Sequence, residues 1–285
     1  MENHPNILLI DSGSTKTHWC MMHAGVVRLS WHSPGINPYF QEASEIIQTA
    51  RPSLPPQLTT EPPGLIYYYG AGVSTSENQA RIHSFLKSIF PETSLHIHND
   101  LLAAARSTSA QTPGLIGILG TGSNLCIYDG NTITQSAQSL GFLLGDEGSG
   151  AVIGQHLLTA YFRQKMPTTL AKLFQKQHPT HLPEVLQSLY RQPYPNRTLA
   201  SYARFCLQHL SDPWCHHLIK TQFHAFFDHY LPSEARHQKL PLHFVGSIAF
   251  HGRMVLEEVA VERGISLGQV VDSPMNGLVA YHQAV

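Results

Sequence analysis

The sequence predicts an α/β layered protein built in two similar halves. Short apolar runs of strand length alternate with amphipathic helical stretches along the chain. An apolar strand, Leu115–Leu119, breaks into the small-residue loop Gly120-Thr121-Gly122-Ser123-Asn124. It returns as Leu125–Tyr128 and reaches an Asp129-Gly130 hairpin turn. The same design opens the chain, where Ile7–Ile10 leads into Ser12-Gly13-Ser14-Thr15 and a strand runs back. Two such units roughly 110 residues apart read as a duplicated architecture that clamps one phosphate ligand. Glycines let backbone N–H groups approach an anion, and Thr121 and Ser123 add hydroxyl donors.

Taken in order, Ile7–Ile10, Thr17–Met22 and Val26–Ser30 read as a three-stranded meander turned at Ala24-Gly25. Residues 33–38, with two prolines, form a braced loop, and a helix is expected over 41–50. The proline-rich stretch 51–64 is an irregular connection. Leu65–Tyr69 is a buried-type strand ending in Gly70-Ala71-Gly72. Residues 76–90 carry helical period, with Ile82, Phe85, Leu86 and Ile89 on one face. Leu95–His98 is a strand, and Asn99-Asp100 opens a short alanine-rich helix. The second half repeats the meander over residues 115–136. A glycine-rich stretch follows at 141–150, then a helix over 151–164 and mostly helical chain to Pro232. Leu242–Val245 returns to strand and ends in Gly246-Ser247. A helix over 252–263, a strand at 267–271 and a last helix from Pro274 complete the pattern.

Composition excludes several classes of function. The 285 residues are 42% hydrophobic and 13% charged, which suits a globular chain with buried cores. A net charge of -1 offers no electrostatic footprint for nucleic acid or an acidic membrane surface. Cys20, Cys126, Cys206 and Cys215 form no CxxC pair, so reduced, structural cysteines and a cytoplasmic setting are expected. No leader and no membrane span are expected either, because the apolar runs are short. The glycine loops match neither common phosphate fingerprint. Lys16 follows Thr15 and not glycine, and Gly120-Thr121-Gly122 is followed three residues on by Leu125.

Two aspartates stand out on chemistry. Asp11 ends a buried strand at the first loop, where it serves either as a magnesium anchor acting through water or as a turn cap. Asp100 lies between a strand and a helix, as a general base or as the helix N-cap. His96 and His98 share one strand face, but no further ligand at a telling spacing joins them in a metal site. Asn37, in its proline-braced loop, and Asp146, in the glycine-rich stretch, are polar side chains placed in loops. Asp146 and Glu147 also suit the N-terminus of the helix that follows.

The ordered set DSGSTKT (Asp11–Thr17), HND (His98–Asp100), LGTGSN (Leu119–Asn124), LGDEGSG (Leu144–Gly150) and FVGSIA (Phe244–Ala249) resembles the actin-like sugar-kinase/Hsp70 superfamily. Within it the chain looks like the N-acetylglucosamine kinase branch of the BadF/BadG/BcrA/BcrD ATPase family, nearly end to end. The resemblance implies an actin-like ATPase fold, with two ribonuclease-H-like lobes closing a central cleft over MgATP and a sugar. Residues 1–112 with 273–285 would form one lobe and 113–272 the other, in a cytoplasmic homodimer. It implies phosphoryl transfer from ATP to an amino sugar, with N-acetylglucosamine and its 6-hydroxyl as the expected acceptor. Asp11 would then anchor Mg2+ and Asp100 would be the base. Ser14, Thr15, Lys16, Thr121, Gly122 and Ser123 would face the phosphates. Asn37, Asp100, Ser123, Asn124, Gly141, Phe142 and Asp146 would surround the sugar. Gly246 and Ser247 would form the adenosine turn, with Ser201 and Gly277 as weaker adenosine candidates that also suit helix packing.

The first loop departs from the triple-glycine form common in the family, since Ser12 and Ser14 flank Gly13. The family's activator ATPases hold a cluster with cysteines, and nothing pairs with Cys126 here. The zinc motif of ROK kinases is missing as well. A non-catalytic sugar or nucleotide sensor, or an ATPase activating a partner enzyme, are the alternative functions.

Overall fold

A computed structural model describes residues 5–232 and 240–284. The chain divides into two compact units, Met1–Gln111 with Pro274–Val285, and Thr112–Ser273. Each unit is α/β and carries one five-stranded mixed sheet.

The strands of the first unit are β1 (Ile7–Ser12), β2 (Lys16–His23), β3 (Val26–Pro34), β4 (Leu65–Gly70) and β5 (Ser94–Asn99). Its helices are α1 (Ala43–Ala50), the single turn α2 (Gln57–Thr60), α3 (Ser76–Ile89) and α4 (Asp100–Thr108), joined by the last helix, Met275–Ala284. The sheet order is β3-β2-β1-β4-β5, with β2 antiparallel to its neighbours and β1, β4 and β5 parallel. The apolar run Leu8-Leu9-Ile10 puts β1 at the centre, because both faces of a central strand are covered. Leu8 and Ile10 enter the core with Ile46, Ile82 and Phe85, whereas Leu9 enters the opposite layer with Ala103, Met275 and Leu278. β3 runs four residues beyond its expected end at Ser30, since Ser33 pairs with Thr17 and its Oγ accepts from Trp19 Nε1 at 2.8 Å. Gly277 settles against α4: a Cβ there would lie 2.1 Å from the Ser107 carbonyl oxygen, so its place is helix packing.

In the second unit β6 (Gly114–Leu119), β7 (Ser123–Tyr128) and β8 (Ile133–Ser136) precede α5 (Gly141–Leu144), α6 (Gly150–Phe162), α7 (Thr168–Gln177) and α8 (Leu182–Arg191). Then come α9 (Pro195–Gln208), α10 (Pro213–Tyr230), β9 (Leu242–Val245), α11 (Ser247–His251), α12 (Arg253–Glu262) and β10 (Leu267–Val271). The last helix of the chain is accordingly α13. Read from its far edge the sheet runs β8-β7-β6-β9-β10, which repeats the order and strand directions of the first unit. The Asp129-Gly130 turn forms as expected, with Asp129 Oδ1 accepting from the N–H groups of Asn131 and Thr132 at 2.8 and 2.7 Å. The helix expected over 252–263 forms as α12, and the short helix α11 precedes it, the two separated at Gly252, where a Cβ would meet the Phe223 ring at 2.9 Å. All four cysteines are buried and unbridged. Among the described residues no helix is long and apolar enough to cross a membrane.

α6 and α9 approach closely, since a Cβ on Gly154 would fall 1.8 Å from the Leu199 carbonyl oxygen. Gly154→Ala must therefore push the helices apart, at a cost of about 1–3 kcal/mol. A urea midpoint equal to that of the parent protein would show that the two backbones do not meet there.

Candidate active site

Each unit presents a cluster at the loop between its first two strands. In the first unit Ser12 is fully buried as the last residue of β1, not a loop donor. Its Oγ lies 2.7 Å from Thr17 Oγ1, accepts from the Ile36 N–H at 3.1 Å and donates to the Ile36 carbonyl at 3.1 Å. Those bonds seat residues 33–38 against the first loop, helped by Gly35, where a Cβ would lie 2.6 Å from the Gly13 carbonyl oxygen. Ser14 is half-buried, while Thr15 and Lys16 are exposed. Asn37 is buried, and its Oδ1 accepts from the Tyr39 N–H at 3.0 Å.

Asp11 and Asp100 stand at the carboxyl ends of β1 and β5, with Gly70 of β4 in register between Ser12 and Asn99. The cap of α4 is Asn99, not Asp100: Asn99 Oδ1 accepts from the Leu102 N–H at 2.9 Å. Asp100 is the first helical residue, and its Oδ1 accepts from the Leu101 N–H at 3.0 Å. Among the described residues no donor bonds the Asp11 carboxylate, so the turn-cap role is not formed. Burial, then the neighbouring Asp100, raise Asp11 to about 7 against a weaker pull down from Lys16. Burial likewise raises Asp100, opposed by its backbone N–H bonds. Two acids in this setting, one of them without a protein donor, suit a cation that keeps much of its water shell. His96 and His98 stack with Tyr67 and Tyr69, and no group of three metal-ligating side chains occurs among the described residues.

In the second unit the loop 120–122 rests on the start of α6. The N–H groups of Gly150 and Ala151 donate to the carbonyls of Gly120 and Thr121 at 2.8 and 3.2 Å, and Ser149 caps the helix. Gly246, at φ +125°, lies where a Cβ would be 2.3 Å from the Leu119 carbonyl oxygen, so this turn backs the loop directly. Asp146 holds a left-handed backbone at φ +60°, and its N–H donates to Tyr230 Oη at 2.9 Å. The Ser123 N–H donates to the Asp146 carboxylate, which burial nonetheless raises to about 6. Gly122 lets the Asp146 carboxylate pack closely, since a Cβ there would lie 3.0 Å from Asp146 Oδ2. Thr121, Gly122, Ser123, Asp146 and Gly246 thus form one cluster. Asn124 Oδ1 is turned to the Leu125 N–H at 2.8 Å. Gly141 and Phe142 form the turn α5, with Phe142 packed on the unit's core. Ser247 is exposed at the start of α11. Ser201 is exposed on α9, its Oγ donating to the Thr198 carbonyl at 2.7 Å. Tyr230 had no signal in the sequence: only the fold brings it beneath Asp146.

No family model and no curated protein matches the chain, whereas many solved structures do. A candidate N-acetylglucosamine kinase from Porphyromonas gingivalis is 36% identical, covers 98% of this chain and 99% of its own, and superposes with a TM-score of 0.90. Another from Chromobacterium violaceum is 18% identical over 98% and 99% of the two chains, with a TM-score of 0.68. A ROK family glucokinase from Streptomyces griseus, in complex with glucose and AMPPNP, is 14% identical over 98% and 99%, with a TM-score of 0.54. The last two share the fold alone. The repeated sheet topology and these likenesses define a two-lobed protein of the actin-like ATPase superfamily. More particularly, the chain belongs to the family of the Porphyromonas gingivalis protein.

The acid pair has a signature in the pH dependence of stability. With Asp11 raised from 3.8 to about 7, the folded chain keeps a proton that the unfolded chain releases between those values. The stabilising contribution is full below the lower value and is lost as pH rises through the upper one. Asp11→Asn is expected to flatten this part of the curve and to stabilise the protein at about pH 8. Urea midpoints at about pH 5 and 8 check it, and an unchanged difference between the two would show that Asp11 is not strained.

Proposed function

We propose that this chain is an ATP-dependent sugar kinase of the N-acetylglucosamine kinase-like branch of the BadF/BadG/BcrA/BcrD ATPases. Its acceptor is the 6-hydroxyl of N-acetylglucosamine. The observation that carries this reading is Asp100, a carboxylate released from cap duty by Asn99 and raised by burial at the end of a parallel strand. That is the position and the chemistry of a general base. Asp100 takes the proton of the attacking hydroxyl. Ser14, Thr15, Lys16, Thr121, Gly122 and Ser123 supply the donors and the charge that position the β- and γ-phosphates, which is most of what phosphoryl transfer asks of a protein.

Asp11 would hold Mg2+ through water, and the bound ion supplies neutralising charge to the phosphoryl oxygens. The NH2 of Asn37 donates to a sugar oxygen. Asp146, Asn124, Gly141 and Phe142 frame the sugar, and Gly246, Ser247 and Ser201 take the adenosine.

The test is ADP release with MgATP across hexoses and amino sugars, with a no-sugar control. Release driven by N-acetylglucosamine supports the proposal, and equal release in every well, control included, overturns it. Asp100→Asn is expected to keep sugar and nucleotide binding while turnover falls by about 100-fold or more. Near-normal turnover in that variant would remove Asp100 from the mechanism.

A further inference from the structure

Arg81, half-buried on α3, belongs to neither the phosphate nor the sugar set of residues. Its Nη2 donates to Glu77 Oε1 at 2.8 Å, one turn back on the helix, and lies 3.1 Å from Glu42 Oε1. Both acids are exposed, and exposed ion pairs contribute little to stability. What they do is hold the planar guanidinium fork in one orientation. The other arm of the fork, Nη1, donates to the Pro38 carbonyl at 2.9 Å, 43 residues away in sequence.

Pro38 follows Asn37 in a turn that is braced from within. The Asn37 N–H donates to Gln41 Oε1 at 2.9 Å, its carbonyl accepts from the Phe40 N–H at 3.0 Å, and its Oδ1 accepts from the Tyr39 N–H. Residues 37–41 are therefore held as one body. At its start that body is tied to the first loop through Ser12 and Ile36. On its other side stand Arg81 and an exposed contact of 3.2 Å between Tyr39 Oη and Ser74 Oγ. The Asn37 carboxamide rests on Gly72, where a Cβ would lie 2.6 Å from Asn37 Oδ1. Asn78, also on α3 and buried, donates through Nδ2 to the Gly72 carbonyl at 2.7 Å. Positions 78 and 81 are three apart and so are neighbours on the helix surface. Asn78 fixes the turn beneath Asn37, and Arg81 fixes the turn that carries it.

We propose that Arg81 is a positioning residue for the sugar: through the Pro38 carbonyl it seats the Asn37 amide on Gly72, at a fixed height for one hydroxyl of the acceptor. The proposal rests on the reading of Asn37 as a sugar ligand. Arg81 acts through Pro38 and Asn37 and needs no contact of its own with the sugar. A small displacement of a positioned group is enough to weaken what it does. The first loop is held by the pairing of β1 with β2 whether or not Arg81 is present, so the effect falls on the sugar and not on the nucleotide.

The experiment is calorimetry on the intact chain, comparing wild type, Arg81→Met and Asn37→Ala for binding of N-acetylglucosamine and, separately, of Mg2+–AMPPNP. Methionine keeps most of the apolar stem and removes every donor. The expected result for Arg81→Met is sugar binding about tenfold weaker, the scale of one lost hydrogen bond from a charged donor. Its binding of Mg2+–AMPPNP should stay close to that of the wild type, within about twofold on the same scale. Sugar binding that is also unchanged on that scale overturns the proposal. So does an equal weakening of both ligands, or the loss of both through unfolding, since Arg81 would then support the whole unit and not the sugar turn. Asn37→Ala separates the proposal from the reading beneath it. Weakened sugar binding in Asn37→Ala beside unchanged binding in Arg81→Met ends the role of Arg81 alone. Unchanged sugar binding in Asn37→Ala, or a wild type that binds no N-acetylglucosamine, ends both.

Discussion

Two carboxylates held near one another and half-buried repel each other and lose part of their hydration, and the first unit is organised around bearing that cost. The cost shows in the raised Asp11 and Asp100, and it falls on the ends of the sheet's parallel strands. Several features hold the acids in place. The buried run Leu8-Leu9-Ile10 fixes β1 in the centre, so that Asp11 emerges at a defined height. Asn99 takes the cap and leaves Asp100 to the first turn of α4. Ser12, bound to both backbone groups of Ile36, clamps the two loops that border the pair. The core supplies the free energy that the strained end consumes.

The second unit repeats the topology and changes the chemistry. Where the first unit carries an acid one residue before the end of its central strand, β6 ends on Leu119 with Gly120 after it, and the burden moves to close backbone approach. Gly246 against Leu119, Gly122 against Asp146 and Gly154 against Leu199 are three close approaches, and at the first and the last a side chain would meet backbone. The first two set the shape of the small-residue loop, whose carbonyls are occupied by the N–H groups of α6. What such a loop offers outward is then N–H and hydroxyl donors, the complement of an anion. The first unit offers acids, suited to a cation and a proton.

How much of this was legible in the sequence depended on the range of the interactions involved. Period and turn chemistry are local, so the strands, both small-residue loops and the Asp129 hairpin could be read directly. Whether Asp100 or Asn99 caps α4 could not, because both residues cap well and the choice rests on where β5 stops pairing with β4. The short helix α11 was hidden for a related reason: Gly252, where it gives way to α12, packs against the Phe223 ring, distant in sequence. Tyr230 carried no signal, since a tyrosine in an apolar run reads as core. The Tyr230 hydroxyl acquires meaning only through its bond to the left-handed Asp146.

The duplicated sheet also explains why resemblance in fold says so little about the site. Strand order and direction follow from apolar runs that many sequences supply, which is why structures 14–18% identical still superpose over nearly the whole chain. The acids, the caps and the glycines at close approach are a thin layer on that frame, each dependent on one or two neighbours. Asn37 and Gly72 illustrate the dependence: either residue alone is ordinary, and together they set an amide against the turn that follows β4. Differences within this fold are therefore expected at such pairs rather than in the sheets. A substitution there needs its partner read with it before its effect on the site can be judged.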